Sequence, residues 1–412
     1  MKFILSHPTG NANVRAVAEG LAKAGLLHRF HTTIASFSGT LLDSVSIGPL
    51  AEIKRRQYNL ILKPFTRTNP WMEVARLIAP KVGLHNFIKH ETGRLSVDAV
   101  YRNNDKKVAD SLIPDFKGEK LGVYAYEDGA KYTFEKANRL GIPCYYDLPI
   151  GYWKAARRLL KDEISKWPDW ESTLIGFQDS DAKLLHKDDE LRLASQIFVA
   201  SSFTAKTLQD FSGNLAPVTV IPYGYPPVES SRTYTTSSHP LRVLFVGGLS
   251  QRKGIANMFA AVEKFGKHVE LTVVGRKASN DCEALDIALA KHKWIPSLPH
   301  HEILKLMRQH DVLLFPSLFE GFGLVITEAM SQGTPVITTD RTAGPDLIEH
   351  GRNGWLIEAS NTEAIEAAIE NLLLNPHEIA KNGAEAMQSA KLRPWSVYGQ
   401  ELAVALGQPR SI

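Results

Sequence analysis

Short apolar runs rich in Val, Ile and Phe alternate with amphipathic stretches along most of the chain. Such runs, bounded by turn residues, fit strands buried on both faces, whereas apolar positions recurring every 3.6 residues fit helices. In the first half the pattern predicts strands at Lys2–Ser6, Leu121–Tyr126, Ile142–Tyr146, Gln196–Ala200 and Val218–Ile221. Helices are expected between them, at Ala12–Ala24, Ala130–Leu140 and Ser202–Phe211 among others. Residues 226–240 are polar, lack periodicity and read as a linker. Strands resume at Leu241–Val246, Glu270–Val274, Val312–Phe315, Pro335–Thr338 and Gly354–Ile357. The alternation predicts an α/β chain of two doubly wound domains, residues 1–225 and 241–394, facing a cleft. Ligands are then expected at the carboxyl ends of the strands. Residues 34–60 and 64–118 give no clean boundaries, only helix-like apolar patches at Trp71-Met72, Leu77-Ile78 and Phe87-Ile88.

At 412 residues the chain exceeds the roughly 250–300 that one core supports, which agrees with two domains. A composition of 44% hydrophobic and 22% charged residues excludes disordered, collagen-like and coiled-coil chains. No stretch approaches the roughly 18 apolar residues of a membrane span, and Phe3-Ile4-Leu5 is too short for a secretion leader. Two cysteines, Cys144 and Cys282, supply neither a disulfide framework nor a zinc site, so a cytoplasmic setting is expected. Net charge is only +4, but residues 1–100 hold 13 Lys and Arg against 6 Asp and Glu. That excess is too mild for a nucleic-acid arm, and no nucleic-acid partner is expected. With the Lys54-Arg55-Arg56 run and apolar Trp71, Met72, Leu77 and Ile78, it suits peripheral contact with the inner face of a membrane.

The densest chemistry lies in residues 315–330. A buried strand ends at Phe315, a turn carries Glu320, Gly321 and Gly323, and a helix holds Glu328. Glycines let backbone approach a ligand, and helix N-terminal amides attract phosphate. Eight helical steps between Glu320 and Glu328 would span about 12 Å, too far for a glycosidase pair at about 5–9.5 Å. After the linker, Gly247, Gly248, Arg252 and Lys253 follow another strand, a pattern that suits a diphosphate. Asp179-Ser180-Asp181 precedes a helix-like stretch and reads as a helix cap rather than a metal site. His85, His90, His300 and His301 read as surface histidines, and the Trp153–Trp170 segment, with Lys154, Arg157, Arg158 and Lys161, as a solvated helix face.

Taken together, these segments resemble the retaining glycosyltransferases of family 4, which have the two-domain GT-B fold. Glu320-Gly321-Phe322-Gly323-Leu324…Glu328-Ala329 is similar to the family's E-x7-E motif. Val246-Gly247…Arg252-Lys253-Gly254, Val220–Gly224, Ser201–Thr204 and Gly344-Pro345-Asp346…Gly351–Gly354 resemble further family segments. The resemblance implies a nucleotide-diphosphate sugar, such as a UDP- or GDP-sugar, as donor, with no cofactor and no metal, and a first domain that binds a saccharide or lipid-linked acceptor, the latter suiting the charge and apolar residues noted above. It implies that Glu328 holds ribose hydroxyls, that Glu320 faces the sugar, and that the Phe322, Gly323 and Leu324 amides reach phosphate and sugar. Arg252 and Lys253 would neutralise the diphosphate, Arg276 and Leu298 would flank the base, and the first loop with Gly10 would cover the phosphate. It also implies that the last helix, residues 395–412, packs back on the first domain. Two departures stand out. Gly248 replaces an arginine common in the family, and the strand ends at Tyr124–Gly129 and Tyr146–Pro149 lack the family's N-domain histidine, for which Asp128 or Glu127 would stand in. A sugar-nucleotide epimerase, a sugar-phosphate synthase and a catalytically silent nucleotide-sugar-binding protein are the alternatives.

Overall fold

The computed structural model describes residues 1–39, 56–116, 118–174, 179–228, 232–234 and 240–408. The first sheet draws on β1 (Lys2–Ser6), β2 (Leu27–Thr32), β5 (Thr66–Thr68), β7 (Glu119–Tyr126), β8 (Cys144–Leu148), β9 (Gln196–Val199) and β10 (Val218–Val220). They lie in the order β10-β9-β8-β7-β1-β2-β5, all parallel. Short β3 (Ser36–Phe37) pairs with β4 (Gln57–Tyr58), and β6 (Asp115–Phe116) makes an antiparallel edge with β7. Helices α1 (Ala12–Lys23), α2 (Trp71–Ile78), α3 (Val97–Asp110), α4 (Lys131–Arg139), α5 (Trp153–Lys166), α6 (Asp181–Leu193) and α7 (Ser202–Thr207) connect them.

The second sheet comprises β11 (Leu241–Val246), β12 (Val269–Val274), β13 (Lys293–Ile295), β14 (Val312–Phe315), β15 (Val336–Thr339) and β16 (Gly354–Ile357). Its order is β13-β12-β11-β14-β15-β16, again parallel. Its helices are α8 (Ile255–Glu263), α9 (Glu283–Ala290), α10 (His300–Gln309), α11 (Leu324–Ser331), α12 (Gly344–Leu347), α13 (Thr362–Leu374) and α14 (His377–Leu392). Finally α15 (Trp395–Gly407) returns to the first domain, where a Cβ on Gly20 would meet the Gly399 carbonyl and one on Gly399 the Ala16 carbonyl, so neither is tolerated. Residues 409–412 lie outside the described residues.

The chain also crosses in the other direction, against the expected boundary at residue 225. Trp170 stacks on Phe259 at 5.9 Å and belongs to the core of the second domain. Thr173 accepts the Gln251 amide at 2.9 Å, the Ser250 hydroxyl donates to the Thr173 carbonyl at 2.7 Å, and Lys166 bonds Ser360. Residues 153–174 therefore strap the first domain to the second, and Trp170 is no part of a solvated face. The linker differs too, for its described part is not a free spacer. Arg232 donates to the Gly333 carbonyl at 3.0 Å and stacks over Tyr234, whose hydroxyl bonds the same carbonyl at 2.7 Å.

The basic run expected to face a membrane is also redistributed. Lys54 and Arg55 lie outside the described residues, and Arg56 is buried, bonding Glu73 at 2.7 Å and the Pro8 carbonyl at 3.2 Å. Among the described residues, no helix is long and apolar enough to cross a membrane.

Candidate functional site

The carboxyl ends of β1, β7, β11 and β14 converge on one interdomain cleft of about 650 Å³. On the side of the second domain, β14 hands over to a turn that leads into α11. Gly323 takes the left-handed conformation (φ 86°) that starts the helix, and among the described residues no side chain caps it. Gly323, Leu324 and Val325 line the cleft, so the positive end of α11 opens onto it.

Glu320 sits in that turn as the centre of a charge cluster. Its carboxylate contacts the Lys253 ammonium and lies 3.4 Å from Arg252 Nη1, which also donates to the Phe319 carbonyl at 2.7 Å. Lys253 packs over the Phe315 ring at 4.8 Å. Burial and the neighbouring Arg252 lower the Lys253 pKa, and the carboxylate in contact opposes them. Burial likewise lowers that of Arg252. Lys253 and Glu320 line the cleft and Arg252 braces them from behind.

Across the cleft stands His7, a residue the sequence reading passed over. It directly follows β1, the position where parallel sheets present ligand-binding groups, and that was the signal available. Its Nδ1 accepts the Thr9 and Gly10 amides at 3.0 and 2.9 Å, which leaves the ring proton on Nε2. The ring packs edge-to-face on Tyr126 at 4.8 Å. Burial, aided by Arg56, drops its pKa to about 3, so His7 is a neutral donor in the cleft. The first domain does contribute a histidine, just after β1 rather than after β7 or β8.

Asp128 also lines the cleft, in a left-handed conformation (φ 68°). Its amide donates to buried Glu190 at 2.9 Å, and its carboxylate lies 3.9 Å from Lys187. Glu127 is 3.5 Å from the same Lys187, and burial raises its pKa to about 7. Both acids line the cleft and are held by that lysine.

Other expected residues are dispersed. Gly247 and Phe322 line the cleft, whereas Gly248 is exposed beyond β11. Gly10 is buried beneath the Tyr58 hydroxyl, and its part is to hold His7 through its amide. Arg276 is exposed after β12, and Leu298 packs half-buried on the second core. Glu328 lies in α11 with its carboxylate 3.0 Å from Nε2 of His300, an exposed histidine whose pKa this contact raises. Because α11 begins only at Leu324, the helical rise between the two glutamates does not apply. Glu320 is paired with Lys253, and Glu328 with His300.

The remaining motif residues join the domains. Ser201 and Thr204 hydroxyls donate to the Gly321 carbonyl at 2.6 and 2.9 Å, and Asp346 accepts the Ser202 amide at 2.8 Å. Tyr223 packs on Phe322 at 4.8 Å and accepts from Asn13 at 3.2 Å. Ser180 caps α6 through the Lys183 amide at 3.2 Å. His90 is partnered as well, by Asp179 at 3.1 Å and Glu91 at 3.4 Å. Lys183 and Lys187, 3.3 and 3.8 Å from Asp179, already supply that cluster's positive charge.

Two parallel-sheet domains around a cleft, joined by a returning last helix, define the GT-B fold. Sucrose-phosphate synthase from Thermosynechococcus elongatus superposes with a TM-score of 0.62 at 17% identity, covering 98% of each chain. Anabaena HepE, solved with UDP and glucose, gives 0.61 at 16% identity, covering 98% of this chain and 99% of its own. Residues 228–389 match the family described as Glycosyl transferases group 1. Alpha-maltose-1-phosphate synthase of Mycolicibacterium smegmatis is 30% identical over 157 residues, 34% of this chain and 41% of that protein. Glycogen synthase of Mycobacterium tuberculosis is 25% identical over 263 residues, 60% of each. The chain thus spans well under two thirds of these curated relatives.

Proposed function

We propose that the protein is a retaining, metal-independent hexosyltransferase that moves a sugar from a nucleotide-diphosphate donor to an acceptor hydroxyl in glycan or glycolipid synthesis. The observation that carries this reading is the cluster of Glu320, Lys253 and Arg252 beside the uncapped start of α11. Lys253, Arg252 and the α11 amides supply the positive field that a departing diphosphate needs. Glu320 holds both cations in place and faces the donor sugar. The acceptor hydroxyl then attacks from the face the diphosphate leaves, and the departing phosphate oxygen takes its proton. Neutral His7 donates from Nε2 to a sugar hydroxyl across the cleft. The group 1 match and the UDP bound in HepE support a nucleotide-sugar donor. A thermal-shift panel of UDP- and GDP-sugars, followed by NMR of the product anomer, tests the reading. An inverted anomer, or no donor that raises the melting temperature, refutes it.

Glu328→Ala is expected to weaken donor binding by about 1.5–3 kcal/mol, the range for hydrogen bonds to a charged group. Calorimetry with unchanged affinity would remove Glu328 from the ribose site. Turnover is expected to survive EDTA, because Lys253 and Arg252 supply the charge a metal would. Activity lost to EDTA and restored by manganese would contradict that.

A further inference from the structure

The two walls of the cleft carry opposite charge. The second domain presents Lys253, with Arg252 behind it and the start of α11 beside it, around the single acid Glu320. The first domain lines the same cleft with Asp98 from α3, Glu127 and Asp128 after β7, and one lysine, Lys183, from α6.

The partners of these groups do not reverse the sign. Lys183 contacts Asp98 at 2.9 Å and Asp179 at 3.3 Å. Lys187 is shared by Glu127 at 3.5 Å, Asp179 at 3.8 Å and Asp128 at 3.9 Å. His90 lies 3.1 Å from Asp179, 3.4 Å from Glu91 and 3.6 Å from Asp98. Even with His90 charged and Arg102 added from the adjoining recess, five carboxylates face four cations. Arg56 adds nothing, because Glu73 binds it at 2.7 Å.

Two groups on this wall are left to meet a ligand. The Asp128 carboxylate has only the 3.9 Å pairing with Lys187 and accepts no hydrogen bond among the described residues. Tyr126 lines the cleft with a side chain 3% exposed, and its buried hydroxyl has no hydrogen-bond partner among the described residues. Buried polar groups in folded proteins are rarely left so, and a phenol in this position calls for a polar ligand group.

We propose that the first-domain wall receives the acceptor as an uncharged saccharide, held through its hydroxyls by Asp128 and Tyr126, and turns away one with a phosphate near the reacting hydroxyl. The proposal rests on the transfer reading above and deepens it. A sugar hydroxyl both donates and accepts, so it serves a carboxylate and a phenol alike. A phosphate dianion only accepts. It finds no donor in Asp98 or Asp128, and Lys183 already holds two carboxylates. Like charges set against each other select against the wrong partner. The diphosphate of the donor is thereby directed to Lys253 and the uncharged acceptor to the opposite wall.

Acceptor kinetics with the nucleotide-sugar chosen by the thermal-shift panel test this. Glucose, galactose, mannose and their disaccharides are compared with the three hexose 6-phosphates. The best uncharged hexose is expected to exceed its own 6-phosphate by at least about tenfold in kcat/KM at low salt, and the ratio is expected to shrink as salt rises. Asp128→Asn removes charge alone, because asparagine tolerates the left-handed backbone that Asp128 adopts (φ 68°). That variant is expected to narrow the ratio at least about threefold, with melting temperature unchanged. Tyr126→Phe is expected to raise the KM for the uncharged sugar about fivefold, the scale of one neutral hydrogen bond. Any of four results would overturn the proposal: equal or better use of the 6-phosphates, a ratio that Asp128→Asn leaves unchanged, an unchanged KM in Tyr126→Phe, or donor hydrolysis with no transfer to any uncharged sugar. Donor hydrolysis without acceptor keeps the two readings apart. Hydrolysis with the wrong acceptor preference removes only the acceptor assignment, whereas no donor turnover under any condition removes the transferase.

Discussion

Lys253→Met is expected to slow sugar transfer at saturating donor by about 10²–10³-fold, the scale for removing one preorganised electrostatic contact from a buried site. Methionine keeps the apolar stem over Phe315, where Lys253 packs at 4.8 Å, and removes only the charge. The fold should persist, because Glu320 keeps Arg252 as a partner at 3.4 Å. That remaining pair is what makes the experiment readable. Single-turnover rates within about threefold of the parent, with melting temperature unchanged, would show that the diphosphate finds its charge elsewhere.

Gly321→Ala is expected to lower the melting temperature by at least about 5 °C, although alanine adds a single methyl group. The new Cβ would overlap the Pro149 carbonyl oxygen and lie 2.6 Å from Ile150 Cα, both backbone atoms of the opposite domain. Retreat is blocked as well, since the Gly321 carbonyl receives the Ser201 and Thr204 hydroxyls. Gly351→Ala is the control. Its φ of 78° imposes left-handed strain of about 1–2 kcal/mol, but nothing lies within 4 Å of the added carbon. Equal shifts in the two variants would mean that the Gly321 junction carries no special load.

Strands buried on both faces were legible in the sequence because nearly every position in them is apolar, Arg242 near the start of β11 being the exception. Leu241–Val246, Val312–Phe315 and Gly354–Ile357 fall where the pattern places them. Strand β2 was hidden because Leu-His-Arg-Phe-His-Thr carries polar residues on a strand near the sheet edge. Pro143 moved the start of β8 to Cys144, past the expected Ile142. At the site, the acidic and basic residues of the second domain could be read from one local turn each, Glu320 from its glycines and Lys253 from its strand end. His7 could not, because nothing in a His-Pro-Thr-Gly loop separates a cleft donor from a surface turn. Its role comes from β1 lying at the centre of the sheet, a property of strand order rather than of neighbouring residues. The strap was invisible for a similar reason: Trp170 looks like one face of an amphipathic stretch until Phe259, 89 positions away, is found beneath it.

The strap also means that the segment matched by the group 1 description and the folding unit do not coincide. Residues 228–389, the part that matches the group 1 description, hold a complete parallel sheet. Yet the face of α8 is closed by Trp170, and Cys282 donates to the carbonyl of Asp169, both contributed from far upstream. An excised module would expose Phe259 and lose the Thr173 partner of Gln251. The similarity stops at residues 228–389, but the stability of that segment is borrowed from residues outside it.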